Sequence, residues 1–237
     1  MMISDSTETR RRFLRLSAAA GTAVMMAGCA DKPQEKGGEV TAAEDLMREH
    51  GVIRRALLIY TEMGVRLRSD SAAVPPDALQ KTARLFRAFG EDYHEKRLEE
   101  AYIFPAVKAA GGPAANLADT LIAQHLRGRE ITDYILAVTQ GAKLGAVGAG
   151  QLAAAFDSLA RMYRAHAARE DTVIFPAWKQ TLTAGQLDEM NDKFEEIEHQ
   201  QFGKDGFEDA VRQISDIEAS LGLGDLAAFT APMPPQS

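Results

Sequence analysis

The sequence predicts an all-α protein, namely an antiparallel up-down four-helix bundle with an additional C-terminal helix. Three observations support this class. From about residue 41, apolar side chains recur at steps of three and four, which is the spacing of one helix face. No run of about four to eight residues alternates between apolar and polar side chains as a half-buried strand would. Helical segments of about 25 to 35 residues with short connections are the expected elements of such a bundle.

Four long helices are predicted, and each is bounded by residues that favour turns. Pro75 and Pro76 follow a Ser-Asp-Ser turn after the first helix, and Gly111 to Pro113 separate the second helix from the third. A fifth helix is predicted over residues 184–201. The four helices of the bundle are predicted over residues 41–68, 76–110, 114–140 and 148–180.

The N-terminal 29 residues resemble a bacterial export signal. A cluster of arginines within residues 10–15 precedes an apolar stretch over residues 16–27, which is too short to span a bilayer as a permanent helix. The order of the basic cluster resembles a twin-arginine signal. The four residues that end at Cys29 resemble a lipobox, so Cys29 is the predicted lipidation site. The alternative interpretation is a basic tail with an incidental cysteine.

These two resemblances imply a location. Twin-arginine export moves folded proteins, so a cofactor would be inserted in the cytoplasm before translocation. Acylation of Cys29 would then hold the protein in the periplasm or cell envelope, in contact with the membrane through its lipid anchor only.

Composition divides the chain into five segments. The residues after Cys29 are polar and contain proline and glycine, as expected of a linker before a folded domain. The predicted segments are the export signal (1–29), the linker (30–40), the four-helix bundle (41–182), a C-terminal helical extension (183–222) and a flexible tail (223–237).

Charge and cysteine content exclude several functions. The 237-residue chain has a formal net charge of -7, and an acidic body is a poor partner for nucleic acid. With Cys29 as the one cysteine, the chain cannot form an intrachain disulfide or a thiolate cluster of iron–sulfur or zinc type. Any bound metal would therefore need nitrogen and oxygen ligands. The sequence makes no prediction of the oligomeric state.

Histidines mark the interior of the predicted bundle. Four of the five fall one per helix, and all four lie on the apolar stripe of their helix. A single histidine on an apolar face is usually a core residue with one hydrogen-bond partner. Four imidazoles directed at one interior are hard to explain by packing, because each would need its own buried partner. These candidate ligands are His50, His94, His125 and His166.

The second and fourth helices repeat one motif. Residues 99–108 match residues 170–179, and each copy begins with a glutamate six residues before a proline. In the second copy, His166 and Glu170 are spaced i,i+4 and so share one helix face. Two such pairs across a bundle can hold two metal ions with bridging carboxylates. Imidazole together with carboxylate suits iron or manganese better than copper(I).

These motifs resemble those of the hemerythrin-like proteins, in the branch with His-His-Glu cation-binding domains, over about residues 44–180. The resemblance implies two non-haem iron ions, a di-iron centre with which an oxo or hydroxo bridge is compatible. By position, the four histidines match terminal ligands, whereas Glu99 and Glu170 match bridging carboxylates. The motifs that carry the resemblance are Glu49-His50, His94 to Glu100 with Phe104-Pro105, Gln124-His125, and His166 to Glu170 with Phe175-Pro176.

The first departure from the family pattern concerns the helix that contains His94. Glu99 follows His94 by five residues, and on a regular α-helix this spacing rotates the side chain by about 140° from its partner. Either a π-bulge corrects the phase, or Glu95 or Glu100 supplies the carboxylate.

Two further departures concern the number of imidazoles. Oxygen-carrying hemerythrins have a second histidine one turn after the position of His125, where this chain has Arg129. One iron would therefore have a different ligand or an open position. His199 could supply a fifth imidazole, but it lies opposite the apolar stripe of its own helix, which favours a solvated side chain.

The resemblance implies oxygen binding, redox or oxygen sensing, or iron handling, and the fold alone does not choose among them. The first hypothesis is an exported di-iron module that binds O₂ or a related small ligand without turnover. The second is an enzyme, a di-iron oxidase or peroxidase that reduces O₂ or peroxide in the cell envelope. The third is a structural bundle whose histidines bind no metal.

Overall fold

The computed structural model describes residues 40–141 and 146–235, and within these ranges the chain is helical without strands. This confirms the predicted all-α class. The predicted export signal and Cys29 lie outside the described residues. The helices are α1 (Ala42–Ser69), α2 (Pro76–Leu85), α3 (Phe104–Ala110), α4 (Gly112–Val138), α5 (Ala146–Arg169), α6 (Phe175–Gln180), α7 (Ala184–Phe202) and α8 (Gly206–Leu221), with π-helical segments at Phe86–Ile103 and Glu170–Ile174 and 3₁₀ turns at Ser71–Ala73 and Leu226–Phe229.

Four long rods form the bundle. They are α1, the continuous helix from α2 through the first π segment to α3, then α4, and the continuous helix from α5 through the second π segment to α6. α1 packs along α5, and α4 packs against both neighbouring rods. Aromatic rings fill the interior: Tyr60 stacks on Phe156 with centroids 4.8 Å apart, and Phe86 meets Tyr163 edge-on at 5.1 Å. Burial of these rings is a main source of the bundle's stability.

Each π segment ends at a Phe-Pro pair. The backbone N–H of Phe104 donates to the carbonyl of Glu99, and that of Phe175 donates to the carbonyl of Glu170, five residues back in both cases. The following proline has no N–H, and its ring would crowd a carbonyl one α-turn earlier. A wider π turn accommodates the proline without breaking the helix. The same local sequence therefore produces a π segment in both rods.

The C-terminal extension contains two helices, where the sequence predicted one. α7 begins with a capping box between Thr183 and Gln186 and ends at Gly203, whose φ is 68°. After a break of a few residues, the side chain of Asp205 caps α8 by accepting from the Glu208 N–H. The predicted helix over residues 184–201 corresponds to α7, whereas α8 was not predicted as a separate helix.

α8 packs onto the bundle. It contacts α1 and α2. Arg55 of α1 forms an ion pair with Glu218, and the Arg48 guanidinium lies 4.4 Å from the ring centroid of Phe207. Among the described helices, none is both long enough and apolar enough to cross a membrane.

Candidate metal centre

The six predicted ligands converge in the interior of the bundle. Each rod contributes one histidine, and the two π segments contribute the two glutamates. All six side chains are buried. Imidazole rings from adjacent rods face each other in two pairs, His50 with His94 and His125 with His166, and the ring centroids are 4.7 Å apart in both pairs.

The glutamates lie between the two histidine pairs. Glu99 Oε1 is 3.4 Å from His94 Nε2, and its Oε2 is 3.4 Å from His125 Nε2. Glu170 Oε1 is 2.8 Å from His166 Nε2, and its Oε2 is 3.5 Å from His50 Nε2. Each carboxylate thus presents one oxygen to each pair, as a carboxylate that bridges two metal ions must do.

The π segment brings Glu99 to the centre in spite of its spacing from His94. Its wider turn brings a side chain at i,i+5 back toward its partner. The two alternative carboxylates point elsewhere. Glu95 accepts a hydrogen bond from the Tyr163 hydroxyl at 2.6 Å, and Glu100 accepts one from the Arg129 guanidinium at 2.5 Å. Of the three glutamates, Glu99 is therefore the one placed between the histidine pairs.

Glu95 and Glu100 nevertheless remain close to one imidazole. Together with His125 they offer three ligand atoms that lie within 4.8 Å of one another. The Arg129 guanidinium contacts both carboxylates, at 3.2 Å from Glu95 and 2.5 Å from Glu100. Arg129 thus neutralises charge beside the centre.

Each imidazole is oriented by a hydrogen bond at Nδ1. With Nδ1–H as the donor, Nε2 has a free lone pair directed at the centre, which is the tautomer that a metal ligand needs. The donor and acceptor pairs are His50 with Asp171 at 2.6 Å, His94 with Glu49 at 2.7 Å, His125 with Glu100 at 2.9 Å, and His166 with Gln124 at 2.9 Å.

The sequence indicated Glu100 as an alternative carboxylate ligand but predicted none of the four residues as an acceptor for an imidazole, although a signal was available. Every acceptor is the direct sequence neighbour of a predicted ligand, but the imidazole that it serves belongs to a different rod. Glu49, for example, precedes His50 and accepts from His94. The pairing depends on how the rods pack and not on local spacing.

Charges within the cluster shift one another's pKa. Burial opposes the charged form of His125, but neighbouring carboxylates, led by Glu95, outweigh it and raise the pKa of His125 to about 10. Burial also opposes the charge of Glu170, but neighbouring imidazoles, led by His166, hold the pKa of Glu170 well below its usual range. Because metal ligands must be deprotonated, a metal ion that binds here displaces the proton from the His125 imidazole.

Several buried polar atoms at the centre lack hydrogen bonds. Among the described residues, no hydrogen bond satisfies His94 Nε2 or any of the four carboxylate oxygens of Glu99 and Glu170. Leaving such atoms unpaired in a protein interior is costly, and native proteins rarely do so without a partner such as an ion. Around them, the potential ligand atoms form two groups, in each of which the atoms lie within 4.8 Å of one another: His50, His94 and Glu99, and His125, His166, Glu99 and Glu170. The donor set fits a pair of metal ions.

A narrow cavity, too small for a water molecule, adjoins the ligands. Apart from the candidate ligands, its lining consists of apolar Ile53 and Ala167 and the hydrogen-bonded pair of Tyr163 and Glu95. Burial is the main factor that raises the pKa of Glu95 to about 7. Gly128 leaves room for the tyrosine, because a Cβ at that position would overlap the Tyr163 hydroxyl.

His199 takes no part in the centre. Its side chain is exposed on α7, as its position opposite the apolar stripe predicted. The centre therefore contains four imidazoles.

A helical bundle that buries imidazoles and carboxylates around unsatisfied ligand atoms defines a class of metal-binding helical proteins. The family model for the hemerythrin HHE cation binding domain matches residues 41–178. The chain belongs to this family.

The chain is also similar to proteins of mycobacteria. The uncharacterized protein Mb2018 of Mycobacterium bovis and the uncharacterized protein Rv1995 of Mycobacterium tuberculosis are each 41% identical to it over 233 residues. The alignments cover 93% of this chain and 90% of each relative. No solved structure matches the chain.

Proposed function

We propose that the protein is an exported non-haem di-iron protein of hemerythrin type, whose centre binds O₂ or a related small ligand, or senses redox state or iron. The first position would lie between His50 and His94, and the second between His125 and His166. Glu99 and Glu170 would bridge the two positions.

One observation carries the proposal. Both oxygens of each bridging glutamate are buried without hydrogen bonds, and each oxygen lies nearest an imidazole of a different pair. A packing role would leave these oxygens uncompensated, whereas two bridged cations satisfy all four at once. Imidazole and carboxylate ligands favour iron or manganese, and the family resemblance favours iron.

The residues around the centre have distinct roles in this proposal. Bound iron would supply a reversible change of oxidation state and an open position for a small ligand. The Nδ1 acceptors hold the imidazoles in the required tautomer. Ile53 and Ala167 line the narrow cavity with apolar groups, and Tyr163, which also lines it, donates its hydroxyl group to Glu95.

A second candidate function is a di-iron oxidase or peroxidase that reduces O₂ or peroxide in the cell envelope. The buried pair of Tyr163 and Glu95 supports it, because the Tyr163 O–H is held at 2.6 Å from a carboxylate at the cavity wall. A carrier needs an apolar cavity, whereas reduction of an oxygen ligand needs protons at this location.

Metal analysis tests the proposed centre. After anaerobic reconstitution with Fe²⁺ and removal of loosely bound ions, the purified protein should retain about two iron atoms per chain. Zinc alone, or one iron at most, would contradict the proposal. Exposure to oxygen then separates the two functions: a carrier releases O₂ under vacuum, whereas an enzyme oxidises rapidly and consumes added peroxide.

Export is a separate part of the proposal and has its own test. If Cys29 is acylated, metabolic labelling with a fatty acid should mark the wild-type protein but not Cys29→Ser. Equal labelling of both proteins would refute the lipoprotein assignment. The control is fractionation of Cys29→Ser, which should still be exported because its arginine cluster is intact.

A further inference from the structure

In each histidine pair, one imidazole donates from Nδ1 to a carboxylate that also contacts an arginine. His50 donates to Asp171, and His125 donates to Glu100. An arginine contacts each of these carboxylates: Arg54 on Asp171, and Arg129 on Glu100. Each half of the centre therefore has one imidazole paired with a carboxylate whose charge is shared with a cation.

The acceptors of the other two imidazoles differ in charge. His94 donates at 2.7 Å to Glu49, a fully buried carboxylate whose other oxygen accepts the Tyr93 hydroxyl at 3.0 Å. His166 donates at 2.9 Å to Gln124, a half-buried neutral amide. The first position thus has two imidazoles supported by carboxylates, and the second position has only one.

We infer, on the basis of the proposed function, that the two metal positions are unequal. The first position binds its metal ion more tightly, and Glu49 and Gln124 set this order. They act as positioning residues, because each touches an imidazole and neither lies among the ligand atoms.

The physical reason is the basicity of the imidazole. A carboxylate at Nδ1–H draws the proton toward itself, which increases electron density at Nε2 and strengthens the bond to a cation. An amide oxygen orients the ring equally well but polarises it less. Outer hydrogen-bond partners of this kind typically change metal affinity by about ten- to a hundredfold. We expect a difference of this order between the two positions.

An anaerobic titration of the purified, metal-free protein with Co²⁺ tests the inequality. Co²⁺ reports binding through its visible spectrum and needs no activity of the loaded protein. The wild type should bind two ions in two resolved steps, with dissociation constants that differ by at least about tenfold.

Two substitutions identify which position is tighter. Glu49→Gln should weaken binding in the tighter step, and Gln124→Glu should strengthen binding in the weaker step. Each substitution should therefore reduce the ratio of the two dissociation constants. If the second position bound its ion more tightly, both substitutions would increase this ratio. Gln201→Glu makes the same change at an exposed site that contacts Arg97, and it should leave both constants unaltered.

The outcomes separate the inference from its premise. Fewer than two bound Co²⁺ ions would overturn the proposed centre and the inequality together. Two Co²⁺ ions bound with equal dissociation constants in the wild type would overturn the inequality alone. So would a ratio of dissociation constants that is unchanged in Gln124→Glu. Circular dichroism establishes that each variant is folded. Should buried Glu49→Gln fail to fold, the half-buried Gln124→Glu decides the matter by itself.

Discussion

The two rods that carry Glu99 and Glu170 bring these glutamates between the histidine pairs although the spacing from histidine to glutamate differs. His166 and Glu170 are four residues apart, whereas His94 and Glu99 are five apart, yet both glutamates lie between the histidine pairs. What the rods share is the distance from the glutamate to Phe-Pro and a π-type hydrogen bond that ends there. Distance to the proline therefore predicts the carboxylate better than distance to the histidine does.

The rods also differ in how much π-helix they contain. The first π segment, Phe86–Ile103, runs for 18 residues and includes both His94 and Glu99. The second, Glu170–Ile174, has 5 residues and begins at the glutamate itself. A histidine and glutamate at i,i+4 are already in phase on an α-helix, so the second rod needs only a local adjustment at its proline.

The largest effect should come from removing either of the two carboxylates that are proposed to bridge the metal ions. Glu170→Ala and Glu99→Ala should each weaken iron binding by more than about a hundredfold, because each loses two ligand oxygens and leaves two cations poorly compensated. Iron retained after gel filtration measures the loss. His199→Ala is the control and should retain wild-type iron. Retention of iron by Glu99→Ala would transfer the role to Glu95 or Glu100.

Replacing the prolines should affect the two rods unequally. Pro105→Ala allows the first rod to revert toward α-helix, which turns Glu99 away from His94 by up to about 140° and should lower iron affinity by about tenfold or more. Pro176→Ala should lower iron affinity much less, because His166 and Glu170 share one helix face even without a π turn. Equal iron affinities in the two variants would contradict this explanation of the spacing.

A smaller effect concerns pH. The raised pKa of His125 means that its charged form stabilises the fold of the chelator-treated protein. This stabilisation is fully present below pH 6.5, the usual value for histidine, and is lost as pH rises toward about 10. The melting temperature of the chelated protein should therefore fall across this range. Iron-loaded protein should not share the fall, since the metal has displaced the proton. Parallel curves for the two forms would contradict this.

Much of the fold and part of the site were predictable from local periodicity. The apolar stripe predicted that His50 and His166 face the interior, where both side chains are buried, because side chains three and four residues apart share a helix face. The same rule could not place Glu99, since a π turn changes the period on which it depends. It also could not identify Glu49 or Gln124 as acceptors, because each serves an imidazole on another rod and only packing brings them together.

X-ray absorption at the iron edge of the reconstituted protein tests the central proposal most directly, because carboxylates that bridge two ions hold them at a short, fixed separation. With about two iron atoms per chain, the spectrum should show imidazole scattering and an iron–iron vector of about 3.5 to 4 Å or shorter. The same vector should disappear in both Glu99→Ala and Glu170→Ala. Wild-type protein that holds two iron atoms without such a vector would contradict the placement of Glu99 and Glu170 as bridging ligands.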